Sequence, residues 1–252
     1  MLLSISIITA SYNEIQLIED CISSVQNQSY IAEHVIIDGQ STDGTIGLIE
    51  KHKIRNSIFL SEPDNGFYDA LNKGIRVASG DIIGILNADD VYAHERVLEK
   101  VLKCFMDEKV DCCYGDLVYV DPINIDKVHR YWKSCPYRKE LFLRGWMPPH
   151  PTFFARREIY ERCGVFNLDL GTAADYELML RFLVKYKIST HYIPEVLVKM
   201  RMGGQSNASL RRRLIANYMD RKAWAINGLK PYPWTLLLKP ISKIGQYFYT
   251  KA

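Results

Sequence analysis

The chain has no Cys-x-x-Cys pair and no Cys/His cluster at a recurrent spacing, so its six cysteines (Cys21, Cys104, Cys112, Cys113, Cys135 and Cys163) signal neither a zinc site nor a disulfide framework. Free thiols in a reducing compartment are the expectation. No apolar run approaches the roughly 20 residues that span a bilayer. The start runs from Met1 directly into the strand-like residues 2–8, without the basic stretch and cleavage-site pattern of a signal peptide. A cytoplasmic protein is expected, peripheral at most on the inner membrane face. Internal repeats and low-complexity linkers are absent as well. Acid is nearly missing from one end: from Lys199 onward there are 11 Lys/Arg and one acid, Asp220, which leaves 21 basic and 28 acidic residues in 1–198. A net charge of +3 therefore conceals about +10 beside −7, and the two parts are expected to meet different partners.

What is present is most informative at Asp81-Ile82-Ile83-Gly84-Ile85-Leu86-Asn87-Ala88-Asp89-Asp90, an apolar strand ending in two adjacent carboxylates. Acids at the end of a buried strand are expected to be paired or to hold a cation. The competing explanation is helix capping, since Asp at a helix start accepts backbone N–H bonds and faces the positive end of the dipole.

The elements around it alternate. A strand over 3–10 leads into Ser11-Tyr12-Asn13-Glu14 and a helix over about 15–28; a strand over 33–38 runs into Gly39-Gln40-Ser41-Thr42-Asp43-Gly44 and another helix. Ile58-Phe59-Leu60 precedes Ser61-Glu62-Pro63-Asp64-Asn65-Gly66, then a helix over 67–78 and the acidic strand. Such alternation predicts a mostly parallel sheet covered on both faces, with its loops gathered at the carboxyl edge where ligands bind. Further on, the pattern predicts a strand over 112–120, helices over 157–163 and 174–187 with Asp175 in the first turn of the latter, and helices near 208–227 and 234–249.

Thr9-Ala10-Ser11-Tyr12-Asn13-Glu14, Asp38-Gly39-Gln40-Ser41-Thr42-Asp43-Gly44-Thr45, Asp64-Asn65-Gly66-Phe67-Tyr68-Asp69-Ala70-Leu71-Asn72-Lys73-Gly74 and Asn87-Ala88-Asp89-Asp90 together resemble the nucleotide-sugar half of inverting family 2 glycosyltransferases. Order, spacing and strand-end placement agree over about residues 3–205. The resemblance implies an α/β GT-A fold, a Rossmann-like mostly parallel sheet flanked by helices, with a basic helical C-terminal appendage. It implies a glycosyltransferase domain over 1–205, with 1–95 as the nucleotide-sugar half and 96–205 as the acceptor half, and 206–252 as a basic aromatic tail.

By that resemblance Thr9, Ser11, Asn13 and Glu14 line the base and ribose pocket, Asp38 accepts a hydrogen bond from the base, and Asp64 belongs to the same donor site. Turn chemistry alone explains the same residue types. Asp69, Asn72 and Lys73 share one helix face, and Lys73 suits a diphosphate or a donor-site acid; a solvated face with a routine ion pair is the alternative. Asn87-Ala88-Asp89 stands where the family carries Asp-x-Asp, so Asp89 is the expected ligand of Mg or Mn, with the neutral Asn87 lowering the charge of the site. Ala174-Asp175 stands where the family usually shows Glu-Asp. Asp175 is thus the candidate base, against a helix N-cap. His150, between prolines, is a candidate contact to the diphosphate or metal, and Arg201, ahead of Gly203-Gly204-Gln205-Ser206, a candidate phosphate clamp.

The tail joins Arg211-Arg212-Arg213, Arg221-Lys222, Lys230, Lys239 and Lys243 to Trp224, Tyr232, Trp234, Tyr247, Phe248 and Tyr249, which suits contact with an anionic membrane or, alternatively, packing on the domain or on a second copy as a homo-oligomer. No nucleic-acid motif accompanies the charge. The implied function is inverting, metal-dependent transfer of a hexosyl or hexosaminyl group from a nucleotide-sugar donor, UDP-linked by expectation, to a glycan or lipid-linked saccharide acceptor in cell-surface polysaccharide assembly. Asn87 and Ala174 at acidic positions keep a non-catalytic sugar-nucleotide-binding subunit as the alternative. A sugar nucleotidyltransferase fits less well, because the loop 9–14 has neither glycine nor basic residue.

Overall fold

The computed structural model describes residues 3–52, 56–203, 210–241 and 246. Strand β1 (Ile5–Ser11) is buried along its whole length, as a β-branched run covered on both faces should be. It pairs in parallel with β2 (Glu33–Asp38) and β4 (Ile82–Ile85), and β2 pairs in parallel with β3 (Ser57–Ser61). Helices α1 (Ile18–Gln26), α2 (Thr45–Lys51) and α3 (Phe67–Val77) make the crossovers. Register sets the carboxyl edge: Ser11 lies beside Asp38 and Asp38 beside Ser61, so three loop-opening residues align where β4 releases the chain toward Asp89.

Beyond β4 the sheet is mixed. After β5 (Val91–Tyr92) and α4 (Val97–Phe105), β6 (Cys112–Val120) runs parallel to β9 (Thr190–Arg201) and antiparallel to β7 (Val128–Trp132) and β8 (Phe154–Arg156). β8 closes the two halves by pairing antiparallel with β4, giving the order β3-β2-β1-β4-β8-β6-β9-β5 with β7 on β6. The all-parallel run thus belongs to the first four strands, and β6 with β9 forms a further parallel pair among antiparallel neighbours. β9 carries Pro194, which cannot donate to the ladder, and the β6–β9 register shifts on both sides of Asp116. A β-carbon on Gly115 would lie 2.5 Å from Leu197 Cγ, so only glycine fits at that shift.

Helix α5 (Lys139–Leu143), a 3₁₀ turn at His150–Thr152, α6 (Arg157–Cys163) and α7 (Ala174–Met179) complete the second half, and α7 continues as a π-helical turn over Leu180–Lys185. One core runs through both halves; a smaller cluster of Ile18, Ile22, Ile36, Ile49 and Ala88 joins α1 and α2 to β2. Among the described residues no helix is long and apolar enough to cross a membrane.

The described part of the C-terminal segment is packed into this domain. Helices α8 (Leu210–Ile226) and α9 (Thr235–Ile241) follow the predicted positions, but Trp224 is only 1% exposed and its Nε1 donates to the Tyr176 hydroxyl at 2.9 Å. Asn227 Nδ2 donates to Glu177 Oε1 (2.8 Å), and Lys239 Nζ to Asp220 Oδ2 (2.7 Å) while lying 3.8 Å from the Tyr176 ring centroid. Trp224 and Lys239, expected on a membrane-facing surface, are therefore internal contacts, because an indole and a long alkyl-ammonium chain are well matched to cover a tyrosine. Ile215, Tyr218, Ile226, Tyr232 and Trp234 remain exposed. Lys243, Tyr247, Phe248 and Tyr249 fall outside the described residues, as do the side chains of Arg211, Arg212 and Arg213.

Candidate active site

The edge of the parallel strands supplies the first part of the site. Thr9 is fully buried beneath it, its hydroxyl donating to the Leu86 carbonyl (2.9 Å) and lying 3.0 Å from His34 Nε2. It ties β1 to the end of β4 instead of lining a pocket. Burial pushes His34 down to about 3, so this imidazole is neutral when folded. An unfolded histidine takes its proton near pH 6.5, so the stability held by the neutral ring is full above that value and is lost as pH falls. Wild type should lose about 2 kcal/mol more than His34→Gln between about pH 6.5 and 4.5 in urea unfolding; parallel losses would refute this assignment.

Asp38 is also fully buried, its carboxylate accepting from Ser41 N (2.9 Å), the Ser41 hydroxyl and Ser61 Oγ (2.8 Å). In this structure it organises the loop after β2. Asn13, at φ 55°, accepts from Thr42 N (2.8 Å), and its own N–H donates to Ser41 Oγ (2.8 Å), so it locks loop 11–14 to loop 39–43. One hydroxyl and one carboxylate oxygen stay available at this edge, since Asp64 Oδ1 already accepts from Gly66 N (2.8 Å). Ser11 Oγ is buried and has no hydrogen-bond partner among the described residues. Asp64 stands over Gly39, where a β-carbon would meet its Oδ2 at 2.6 Å and the Tyr12 ring at 3.3 Å. Tyr12, 63% exposed, thus lies over the same glycine as Asp64, and its only sequence signal was an aromatic placed within a polar loop.

Helix α3 holds its three named residues in other duties. Asp69 accepts from Asn65 N (3.0 Å), Lys73 Nζ donates to Pro63 O (2.6 Å) and pairs with Glu62 (2.8 Å). Asn72, buried, exchanges two 2.9 Å bonds with the backbone of Phe166. The shared face predicted for them exists, but Asn72 staples α3 to the acceptor half and Lys73 closes the loop before α3.

The acidic loop follows β4. Ala88 is buried, Asn87 Nδ2 donates to Asp90 Oδ2 (2.8 Å), and Asp90 is fully buried and also accepts from Arg201 N (3.2 Å). Burial and the neighbouring Asp89 carboxylate raise Asp90 well above the carboxylate range. Burial likewise raises Asp89, against the opposing pull of Arg201; Glu14 is raised by burial and then by the charges of Asp89 and Asp43. Arg201 is nearly fully buried behind this loop, with Nη1 on the Asp89 carbonyl (2.7 Å), Nε on the Pro122 carbonyl (3.0 Å) and Nη2 on Asp20. All three nitrogens are engaged, so Arg201 braces the acidic loop from β9 and is not placed as a mobile clamp. A buried guanidinium requires such partners.

Among the described residues no three His, Cys, Asp or Glu side chains converge as a closed metal cage. The residues present nevertheless suit a divalent ion. Asp89 and Glu14 repel each other in a partly desolvated setting, and Mg²⁺ typically uses one or two carboxylates with substrate phosphates completing its shell.

The second part of the site is a cleft of about 390 Å³, open mouth included, lined by Asn87, His150 and Asp175, with Tyr68, Phe153 and Phe166 among its walls. Asp175 is 17% exposed in its side chain; Oδ1 accepts from Tyr176 N (2.7 Å) and Oδ2 lies 3.2 Å from His150 Nδ1. His150 thus faces the carboxylate of α7, while the resemblance suggests a contact to the diphosphate or metal. Burial, and next the Asp175 charge, raise the Tyr68 phenol well above its ordinary value. Glu177 and Arg181 form a buried i,i+4 pair (2.9 Å), and Asn227, 50 positions further on, completes it, a partner that spacing could not reveal.

Comparison with known proteins is consistent with this geometry. The family model described as glycosyl transferase family 2 matches residues 6–164. An uncharacterized glycosyltransferase of Mycobacterium tuberculosis is 29% identical over 184 residues, covering 71% of this chain and 68% of that protein. A PGL/p-HBAD biosynthesis glycosyltransferase of Mycobacterium bovis is 28% identical over 215 residues, covering 83% and 82%. Among solved structures, the mannosyltransferase PcManGT from Pyrobaculum calidifontis, in complex with GDP-Man and Mn2+, superposes with a TM-score of 0.66 at 22% identity, over 95% of this chain and 69% of that one. TarS 1–349 of S. aureus, in complex with UDP-GlcNAc, gives 0.65 at 15% identity, over 94% and 69%. With the model match spanning the parallel strands, their acidic loops and the strand that joins the two halves, the chain belongs to glycosyl transferase family 2.

Proposed function

We propose that the protein transfers a glycosyl group with inversion from a nucleoside diphosphate sugar, a UDP-sugar in the first instance, to a hydroxyl of a glycan or lipid-linked saccharide. The observation that carries this reading is that Asn87 of the acidic loop and Asp175 of the acceptor half line one cleft together. The slot between Tyr12 and Asp64 receives the base, with Ser11 Oγ free to bond the nucleoside. Asp89, with Glu14 beside it, holds Mg or Mn. A divalent ion there offsets the charge that develops on the diphosphate as the glycosidic bond breaks. Asp175 takes the proton of the attacking hydroxyl, whose oxygen approaches the anomeric carbon from the face opposite the leaving group.

Two solved structures that share this fold are described in complex with GDP-Man and UDP-GlcNAc, which supports a nucleotide-sugar donor without choosing between nucleotides. The exposed Ile215, Tyr218, Ile226, Tyr232 and Trp234, in a segment rich in Lys and Arg, support contact with an anionic membrane surface on the cytoplasmic side, where a lipid-linked acceptor would be presented.

Calorimetry with UDP and GDP, with Mn²⁺ present and absent, tests the donor assignment. UDP is expected to bind wild type in a Mn²⁺-dependent way, and Asp89→Ala to lose at least about ten-fold in affinity, since a ligand to the ion is removed. Binding that is indifferent to Mn²⁺ and to Asp89 would exclude Asp89 as the metal ligand. No nucleotide binding at all would leave only the fold.

A further inference from the structure

We infer that His150 is the positioning residue for the Asp175 carboxylate, donating Nδ1–H to Oδ2 and so fixing the orientation from which Asp175 accepts a proton. The inference rests on the reading of Asp175 as the base and adds to it a residue from a different element.

The contact is built rather than incidental. His150 is 34% exposed, and exposed ion pairs ordinarily contribute little because a loose side chain must be ordered to make them. Here the backbone is already ordered. His150 opens a 3₁₀ turn between Pro149 and Pro151, whose rings restrict the chain. Thr152, fully buried, bonds through its hydroxyl to the Pro149 carbonyl (2.8 Å) and the Gly115 carbonyl (3.0 Å), tying the turn to β6. On the other side the Asp175 carboxylate is anchored by the Tyr176 N–H at Oδ1, which leaves Oδ2 facing the imidazole. Tyr68, from α3, approaches the same carboxylate. Three elements therefore meet at one acid, which helix capping does not require.

The chemistry is balanced without a proton passing through His150. The acceptor oxygen forms its bond to the anomeric carbon, its proton goes to Asp175, and the bond to the diphosphate breaks with its electron pair on the diphosphate oxygen. His150 keeps its Nδ1–H throughout; an imidazole held by a carboxylate fixes both tautomer and orientation, and the relation works in both directions. Of the described residues lining the cleft, those that titrate are Asp175 from α7, Tyr68 from α3, Tyr160 from α6 and His150 itself, and burial holds both phenols neutral. Asp175 is the anion that faces His150 Nδ1, at 3.2 Å.

Two measurements test this on the full chain. In ¹⁵N-histidine NMR, His150 should be the Nδ1–H tautomer when neutral, and its titration midpoint should fall in Asp175→Asn, because the anion that stabilises imidazolium is gone. In assays of nucleotide release from UDP-glucose, UDP-galactose, UDP-GlcNAc and GDP-mannose with Mn²⁺, His150→Ala should lower kcat at least about ten-fold. His150→Asn, whose amide nitrogen can occupy the Nδ1 position, should recover most of it, and UDP affinity should be unchanged in both. An unmoved midpoint, full kcat in His150→Ala, or a parallel loss of UDP affinity that puts His150 on the diphosphate would each overturn the inference. Normal turnover in Asp175→Asn would instead overturn the base assignment, so the two failures are distinguishable.

Discussion

Asp175→Asn should slow turnover by about 10²- to 10⁴-fold while leaving the fold and nucleotide binding as they are, which is the span that a positioned general base contributes. The substitution is nearly isosteric. The amide oxygen can still accept from Tyr176 N–H, so the start of α7 keeps its local hydrogen bond. What is lost is basicity, since an amide does not accept the acceptor's proton at neutral pH. The effect should fall on kcat, because Tyr12 and Asp64, the residues assigned to the nucleoside, are not among those that line the cleft holding Asp175. Rates of UDP release with a thermal melt on the same sample check it; a variant that melts like wild type and turns over like wild type would remove Asp175 from the mechanism.

Trp224→Ala should destabilise the protein by about 3–5 kcal/mol, the cost of deleting a large buried aromatic. Trp224 is among the largest fully buried side chains, and its indole N–H is spent on Tyr176, the residue after Asp175. Truncation therefore opens a cavity and leaves a buried phenol without its donor. If α8 were an independent tail, the same change would cost no more than the roughly 0.5 kcal/mol usual for surface positions. Urea unfolding of both proteins decides between these. Because α8 and α9 hold Tyr176 and Glu177 from behind, Trp224→Phe, which keeps most of the volume, should recover most of the stability and leave only the hydrogen bond missing.

β1, β2 and β4 were legible because they are local and strongly patterned: Ile5, Ile7, Ile8, Val35, Ile36, Ile37, Ile82 and Ile83 lie in short apolar runs followed by turn residues, and all are buried. β9 was not legible. Its outer half alternates polar residues around Pro194, and its strand character comes from pairing with β6, some 80 positions earlier in the chain. The same contrast separates the site residues. Asp89 and Asp175 stood out because strand-end and helix-start positions are readable from neighbouring residues. Thr9, Asp38, Asn72 and Arg201 carry polar groups equally suited to a ligand or to the chain itself; Leu86, Phe166 and Asp20, which occupy Thr9, Asn72 and Arg201, are far away in sequence, while Asp38 is held by the nearby Ser41 as well as by Ser61.

Local residue order was thus sufficient for the family, the parallel half-sheet, the acidic loop and the helix bearing Asp175, since each is written in adjacent positions. Long-range packing alone assigned Arg201 to bracing, turned His150 toward Asp175, and made α8 and α9 part of the domain. A side chain's hydrogen-bond partner is a matter of where distant segments meet, and that is decided when the sheet closes.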